Sequence, residues 1–186
     1  MSDKLTRAIT KDGFFKISAV VSTETAETAR KYHNSSPVAT AALGRLLSAG
    51  LLMGGELKED KAKLTLQISG DGPLGMLVVS ANSHGEVKGY ASNPQIDLPL
   101  KENGKLDVGG AVGKGVLSVI KDLCLKEPYV GQVQIQTGEI AEDLAYYFMQ
   151  SEQVPSVVAL GVLVDRDYSV KYSGGFIIQV MPECDD

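Results

Sequence analysis

The chain has 186 residues, enough for one domain with a sizeable core. It is 44% hydrophobic and 22% charged, a globular composition, and no low-complexity tract interrupts it. The net charge of −5, with cations scattered singly and no basic cluster interleaved with aromatics, argues against a nucleic-acid partner. The polar opening MSDKLTRAITKDG reads as no secretory signal.

In chain order, residues 14–21 form an apolar run with partial alternation and predict a strand. Residues 23–33 predict a short helix, capped by Ser22 or Thr23, with Glu24 and Glu27 early and Arg30 and Lys31 late. Ser36-Pro37 then launches a long helix, with the serine hydroxyl as N-cap and proline at the first helical position, and Gly54-Gly55 ends it. Arg45 is its only charge, so the helix is apolar nearly all round and must be covered on most of its surface. Leu43, Leu46, Leu47 and Leu51 share one face, while Ala41, Ala42, Gly44, Ala49 and Gly50 let other backbone come close. A membrane span wants about 20 residues without a central charge. This segment is therefore expected to be the buried central helix of a soluble domain, not a membrane element.

Beyond Gly55 the period changes to two. Ala62, Leu64, Leu66 and Ile68 alternate with polar residues and predict a half-buried strand. Residues 76–81 and 86–91 read as a hairpin around Asn82-Ser83-His84-Gly85, and 93–103, with two prolines, as a loop. Strands are expected at 116–120 and 129–136, and a helix at 140–151 that puts Ile140, Leu144, Tyr147 and Phe148 on one side. The apolar run 157–164, a polar turn, and a return strand containing Gly174-Gly175 and residues 176–180 close the chain. Strands and helices in unequal runs predict an α+β domain with a largely antiparallel sheet packed with helices.

No residue is assigned a catalytic, cofactor-binding or metal role. Gly70-Asp71-Gly72-Pro73-Leu74-Gly75 satisfies G-x-G-x-x-G by letter, but a strand follows it where a phosphate site needs a helix, so it reads as a turn. Gly109-Gly110-Ala111-Val112-Gly113-Lys114-Gly115 lacks the Ser or Thr of a phosphate loop. Glu139, Glu142 and Asp143 sit where a helix N-terminus favours negative charge. His33 reads as a helix C-terminal residue and His84 as a turn residue. Cys124, between two leucines, is expected to be a buried small hydrophobe. Cys124 and Cys184, 60 positions apart, fit a reducing cytoplasm, a single bridge between them being the alternative. With two distant histidines they show no zinc-ligand spacing.

Several strings together resemble the 33 kDa heat-shock chaperonin family, the redox-regulated bacterial holdases. They are His33-Asn34-Ser35-Ser36-Pro37 running into Ala41-Ala42-Leu43-Gly44-Arg45-Leu46-Leu47, the 70–75 glycine string, Gly89-Tyr90, and Gly104-Lys105-Leu106-Asp107-Val108-Gly109. Glu127-Pro128-Tyr129-Val130-Gly131 and the string from Tyr147-Phe148-Met149 to Pro155-Ser156 complete the set, in family order across the whole chain. The resemblance implies an ATP-independent chaperone, not an enzyme, that holds unfolding client proteins under oxidative and heat stress. It also implies a bacterial cytoplasmic setting and a core able to form a homodimer. The family's redox switch is a C-terminal zinc domain with C-x-C and C-x-x-C pairs, joined by a linker. Neither pair occurs here, so no zinc or redox role passes to Cys124 or Cys184. The expectation is a core domain over 1–181, with 182–186 as the start of a linker. Client contacts are expected on the sheet rather than on the central helix. The alternatives are a small-molecule-binding or enzymatic α+β protein using the glycine loops, and a bare dimerisation module.

Overall fold

A computed structural model describes residues 2–182. Cys184 and all but the first residue of the expected 182–186 tail lie outside the described residues. The elements are β1 (Lys4–Ile9), β2 (Phe15–Val21), α1 (Thr23–His33), α2 (Pro37–Gly54), β3 (Lys63–Gly70), β4 (Met76–Asn82), β5 (Val87–Ala91), α3 (Val108–Val112), β6 (Gly115–Asp122), β7 (Tyr129–Gln134), α4 (Ala141–Tyr147), β8 (Ser156–Val164) and β9 (Val170–Val180). A π-helical turn, Phe148–Glu152, extends α4. The strands form two antiparallel sheets, one of four strands in the order β1-β2-β9-β8 and one of five in the order β5-β4-β3-β6-β7.

α2 is the centre of this α+β fold. Ser36 caps it, its hydroxyl accepting from Ala39 N, and Pro37 opens it. Its length and composition would let it cross a membrane, but 89% of that window is buried inside the protein. Both sheets supply the cover. A side chain at Gly44 would strike Val162 of β8, and one at Gly50 would strike Val79 of β4, so the two glycines let the helix backbone approach a sheet on each side. Leu43, Leu46, Leu47 and Leu52 are at most 1% exposed, and each contributes roughly 1.5–3 kcal/mol by leaving water.

Two elements appear that the sequence did not mark, and two expectations, the Ser22 cap and the burial of Cys124, are corrected. β1 is a strand of its own, because Leu5 and Arg7 face α2 although the segment is polar, Arg7 Nη1 donating to Gly55 O at 2.5 Å. α3 forms in a glycine-rich string because Asp107 caps it, accepting from Gly110 N at 2.9 Å. Ser22 occupies the N-cap of α1 without capping it: its hydroxyl is buried with Ser48 Oγ at 2.7 Å and Ser173 Oγ at 3.1 Å. Asp3 caps α1 instead, accepting from Glu24 N and Thr25 N at 2.9 and 2.8 Å. Cys124 is exposed, with φ +61°, in the loop after β6, because its flanking leucines lie outside the core and Leu125 is 71% exposed.

The burial of α2 makes it intolerant of charge. Leu47→Asp places an unpaired carboxylate at a 1%-exposed site, at a cost of several kcal/mol, comparable to the stability of a whole domain. Thermal unfolding is expected to show loss of the cooperative transition; melting at the parent temperature would contradict the packing described here.

A second ledger is pH-dependent. Glu27 joins α1 to the start of β9, receiving Arg30 at 2.7 Å and Val170 N at 2.9 Å. The Arg30 hydrogen bond outweighs burial and, with the Val170 amide, holds the Glu27 carboxyl at about 2. A depressed folded value stabilises the fold above the carboxyl's ordinary range near 4.5, and that stability is lost as pH falls toward about 2. Glu27→Gln is therefore expected to cost about 1–2 kcal/mol at pH 7 and almost nothing at pH 2, read from urea unfolding at both.

Candidate functional site

Both sheets spend one face on α2, and their outer faces differ. In the four-stranded sheet Lys16 and Ser18 point inward to Glu56, Ser173 and Ile177 are buried, and Val158, Leu160 and Val162 pack on the core. The alternate residues therefore face out. Register sets them in rows: Leu163 beside Tyr172; Gly161, Gly174, Val21 and Lys4; Ala159, Phe176, Ala19 and Thr6; Val157, Ile178, Ile17 and Ala8; and Val180 beside Phe15. Lys4, at one edge, is the only charge among them. The hydroxyls of Thr6 and Tyr172 are the only other polar side-chain groups. Tyr172 is 64% exposed, Val157 60% and Leu163 52%.

The outer face of the five-stranded sheet, by the same reasoning, mixes polar and apolar residues. Its rows are Lys88, Ser80, Thr65, Ile120 and Val130; Tyr90, Val78, Gln67, Ser118 and Gln132; Met76, Ser69, Val116 and Gln134; and Asn82, Lys63 and Asp122. Gln132 Nε2 donates to Ser118 Oγ at 3.0 Å, and Gln67 Nε2 to Ser69 Oγ at 3.1 Å. The outer face of the four-stranded sheet thus carries a single charge, Lys4 at its edge, whereas that of the five-stranded sheet carries Lys63, Lys88 and Asp122 together with amide and hydroxyl side chains among its apolar residues. A contiguous apolar face on a folded domain marks an interaction surface.

The other candidates resolve into structure. The two glycine strings pack against one another: Gly72 N donates to Val112 O at 3.0 Å, Leu74 N to Ala111 O at 3.0 Å, and Lys114 N to Asp71 Oδ1 at 2.6 Å. A side chain at Gly70 would run into Val112 O and one at Gly113 into Asp71, so the glycines serve close backbone approach and leave no cradle for a phosphate. Asp143 is 1% exposed and receives the amides of Gln136, Thr137 and Ile140 at 2.8–2.9 Å. It holds the turn in which Ile140 adopts φ +72°. Burial pushes the Glu139 carboxyl up, but Lys101 at 2.5 Å and Arg45 at 2.6 Å outweigh it and hold the group below its ordinary value. That network ties the 93–107 loop to α2. Glu142, next to these two, is exposed and makes no ion pair among the described residues. Glu152 receives Lys121 and the Tyr147 hydroxyl, pinning the π-helical turn to β6. Burial and then the Glu152 charge push the Tyr147 phenol up.

His33 Nε2 bonds Gly89 O at 2.9 Å, and His84 pairs with Asp60 at 3.0 Å. Among the described residues no three His, Cys, Asp or Glu side chains converge on a metal-sized site. The described residues do not fit a zinc ion.

A family model described as Hsp33 protein matches residues 3–186. The chain belongs to that family. A 33 kDa chaperonin of Agathobacter rectalis is 61% identical over 182 residues, 98% of this chain and 63% of the relative. One of Clostridium perfringens is 61% identical over 188 residues, all of this chain and 59% of the relative. The solved 33 kDa chaperonin of Thermotoga maritima superposes with a TM-score of 0.89 at 48% identity, over 94% of this chain and 59% of that one. The chain thus spans about three fifths of the length of these relatives. The Hsp33 resemblance, the α+β class and the buried central helix expected from the sequence all stand.

The apolar face is spread over four strands, and no motif marks it. Its signal lies in β8: Val157, Ala159 and Leu163 on one face, Val158, Leu160 and Val162 on the other, with no polar residue after Ser156.

Proposed function

We propose that this chain is the core of an ATP-independent holdase that binds unfolding proteins on the outer face of the four-stranded sheet and so prevents their aggregation under oxidative and heat stress. The observation that carries the reading is the contrast between the two sheets: the outer face of the four-stranded sheet is apolar with one charge, Lys4, at its edge, whereas that of the five-stranded sheet mixes apolar residues with charges and amides. Exposed apolar segments of a client bury against such a face at roughly 25 cal/mol per Å² without any nucleotide step. Lack of charge also makes the surface tolerant of sequence, as a chaperone requires. The glycine loops, filled by their own backbone contacts, give no support to a phosphate-dependent enzyme. A bacterial cytoplasmic setting and a homodimer belong to the same reading, by way of the relatives.

Tyr172→Glu combined with Val157→Glu puts two charges on the face at sites already more than half exposed. Stability is expected to change by no more than about 0.5 kcal/mol per site, while suppression of aggregation of a heat-unfolded client falls severalfold. Gln132→Glu, on the other sheet, is the control that leaves suppression unchanged. Full suppression by the double variant would remove the face from the mechanism.

The same reading gives no zinc and no redox switch to these 186 residues. Metal analysis after reducing purification is expected to find no stoichiometric zinc, since a structural site needs four ligands. Suppression titrations in reductant and in peroxide should coincide. Because Cys124 is exposed rather than buried, the decisive comparison is Cys124→Ser with Cys184→Ser. Peroxide activation abolished in that variant would show a thiol switch.

A further inference from the structure

The hydrogen-bond phase of the four-stranded sheet exposes a second element at the border of the same face. Val180 N donates to Pro155 O at 3.2 Å, and in the β8–β9 register this assigns the bonds to β9 to residues 157, 159, 161 and 163. On the other side of β9, Met181 N donates to Phe14 O and Ser22 N to Ser173 O, both at 2.9 Å, which fixes the same phase independently. The N–H and C=O of Leu160 and Val162 therefore point away from β9, toward the free edge. Among the described residues no backbone or side chain bonds them.

A groove of about 690 Å³ runs along that edge. Residues 160–164 of β8 form one wall, and the 103–106 loop with the start of α4 forms the other. The far wall is charged. Glu139 is saturated by Arg45 and Lys101, whereas Lys105 and Glu142 make no ion pair among the described residues. Natural sheet edges are blunted by charges, prolines or cover, yet β8 carries neither charge nor proline from 156 to 164.

We propose that the free edge of β8 receives an extended segment of non-native polypeptide as a fifth strand. Unpaired backbone donors and acceptors select for a chain whose own backbone is unpaired, which an unfolding protein offers and a folded one does not. The two sides of the groove set the pattern of side chains. Those on the outer side of the added strand extend the apolar face beside Gly161 and Leu163. A side chain at Gly161 itself would meet nothing within 4 Å, so a bay stands open there for the neighbour's side chain. Those on the inner side meet the Lys105 ammonium and the Glu142 carboxylate. The segment that fits alternates apolar residues with charged ones, the pattern of a native strand that has lost its sheet.

The inference rests on the holdase reading and is tested separately from it. Backbone amide hydrogen exchange of the 186-residue chain is followed by NMR with and without reduced, carboxymethylated α-lactalbumin, alongside suppression of aggregation. Exchange at Leu160 and Val162 is expected to slow tenfold or more with the probe, while Gly161 and Leu163, already bonded to β9, change little. A capped eight-residue peptide alternating valine with glutamate and lysine should bind, and its counterpart methylated at alternate backbone nitrogens should bind at least tenfold more weakly. Suppression without protection at Leu160 and Val162 would overturn the edge and leave the face. Protection that rises with chain concentration in the absence of probe would assign the edge to a second copy and also overturn it. No suppression and no binding would overturn both readings together.

Discussion

Everything in this fold depends on the need to cover α2 on all sides. An 18-residue helix with a single charge cannot face water on any broad stripe. One sheet covers only one side, so the chain supplies two. Gly44 and Gly50 bring the helix backbone close to opposite sheets, and Arg45 escapes through its pairing with Glu139. The inner face of each sheet is thereby committed to stability. Function is left to the outer faces, the edges and the loops.

That division explains why the loops that look most like sites are structural. Glycines 70, 72 and 113 allow two backbones to meet at the end of the five-stranded sheet, and the nearby Asp143 carboxylate satisfies three amides of a tight turn. Glu139 and Glu152 are likewise spent, one on fastening the 93–107 loop and the other on the π-helical turn. What remains unspent is apolar surface on the four-stranded sheet and hydrogen-bonding capacity at its β8 edge. Both suit the unfolded partner proposed for this chain.

The sheet that carries this surface is fastened to α2 partly by small polar groups. Ser22, Ser48 and Ser173 meet at one buried point, and Lys16 and Ser18 reach Glu56 at the end of the helix. Burial pushes the Glu56 carboxyl up, but those two partners hold it below its ordinary value. Directional contacts of this kind fix register, so inward and outward residues do not exchange. A one-residue slip would turn the apolar face into the core and expose Ser18 and Ser173.

Sequence alone determined the elements whose period is strong: α2 by its apolar run between Ser36-Pro37 and Gly54-Gly55, α1 by its charge order, and β3 by Ala62, Leu64, Leu66 and Ile68. It also carried the family, through strings kept in order along the chain, among them the 70–75 string whose glycines meet the Ala111 and Val112 backbone. Tertiary structure decided what depends on distant partners. β1 is a strand because Gly55 accepts from Arg7, and Asp3 caps α1 from 21 residues away because Ser22 is turned into the core. Cys124 is exposed because its leucine neighbours lie outside the core. Above all, the division of the nine described strands into two sheets, and so the difference between an apolar and a mixed outer face, was decided by which strands pair. Strand pairing is a contact between residues as far apart as Phe15 and Val180, and local propensity carries no information about it.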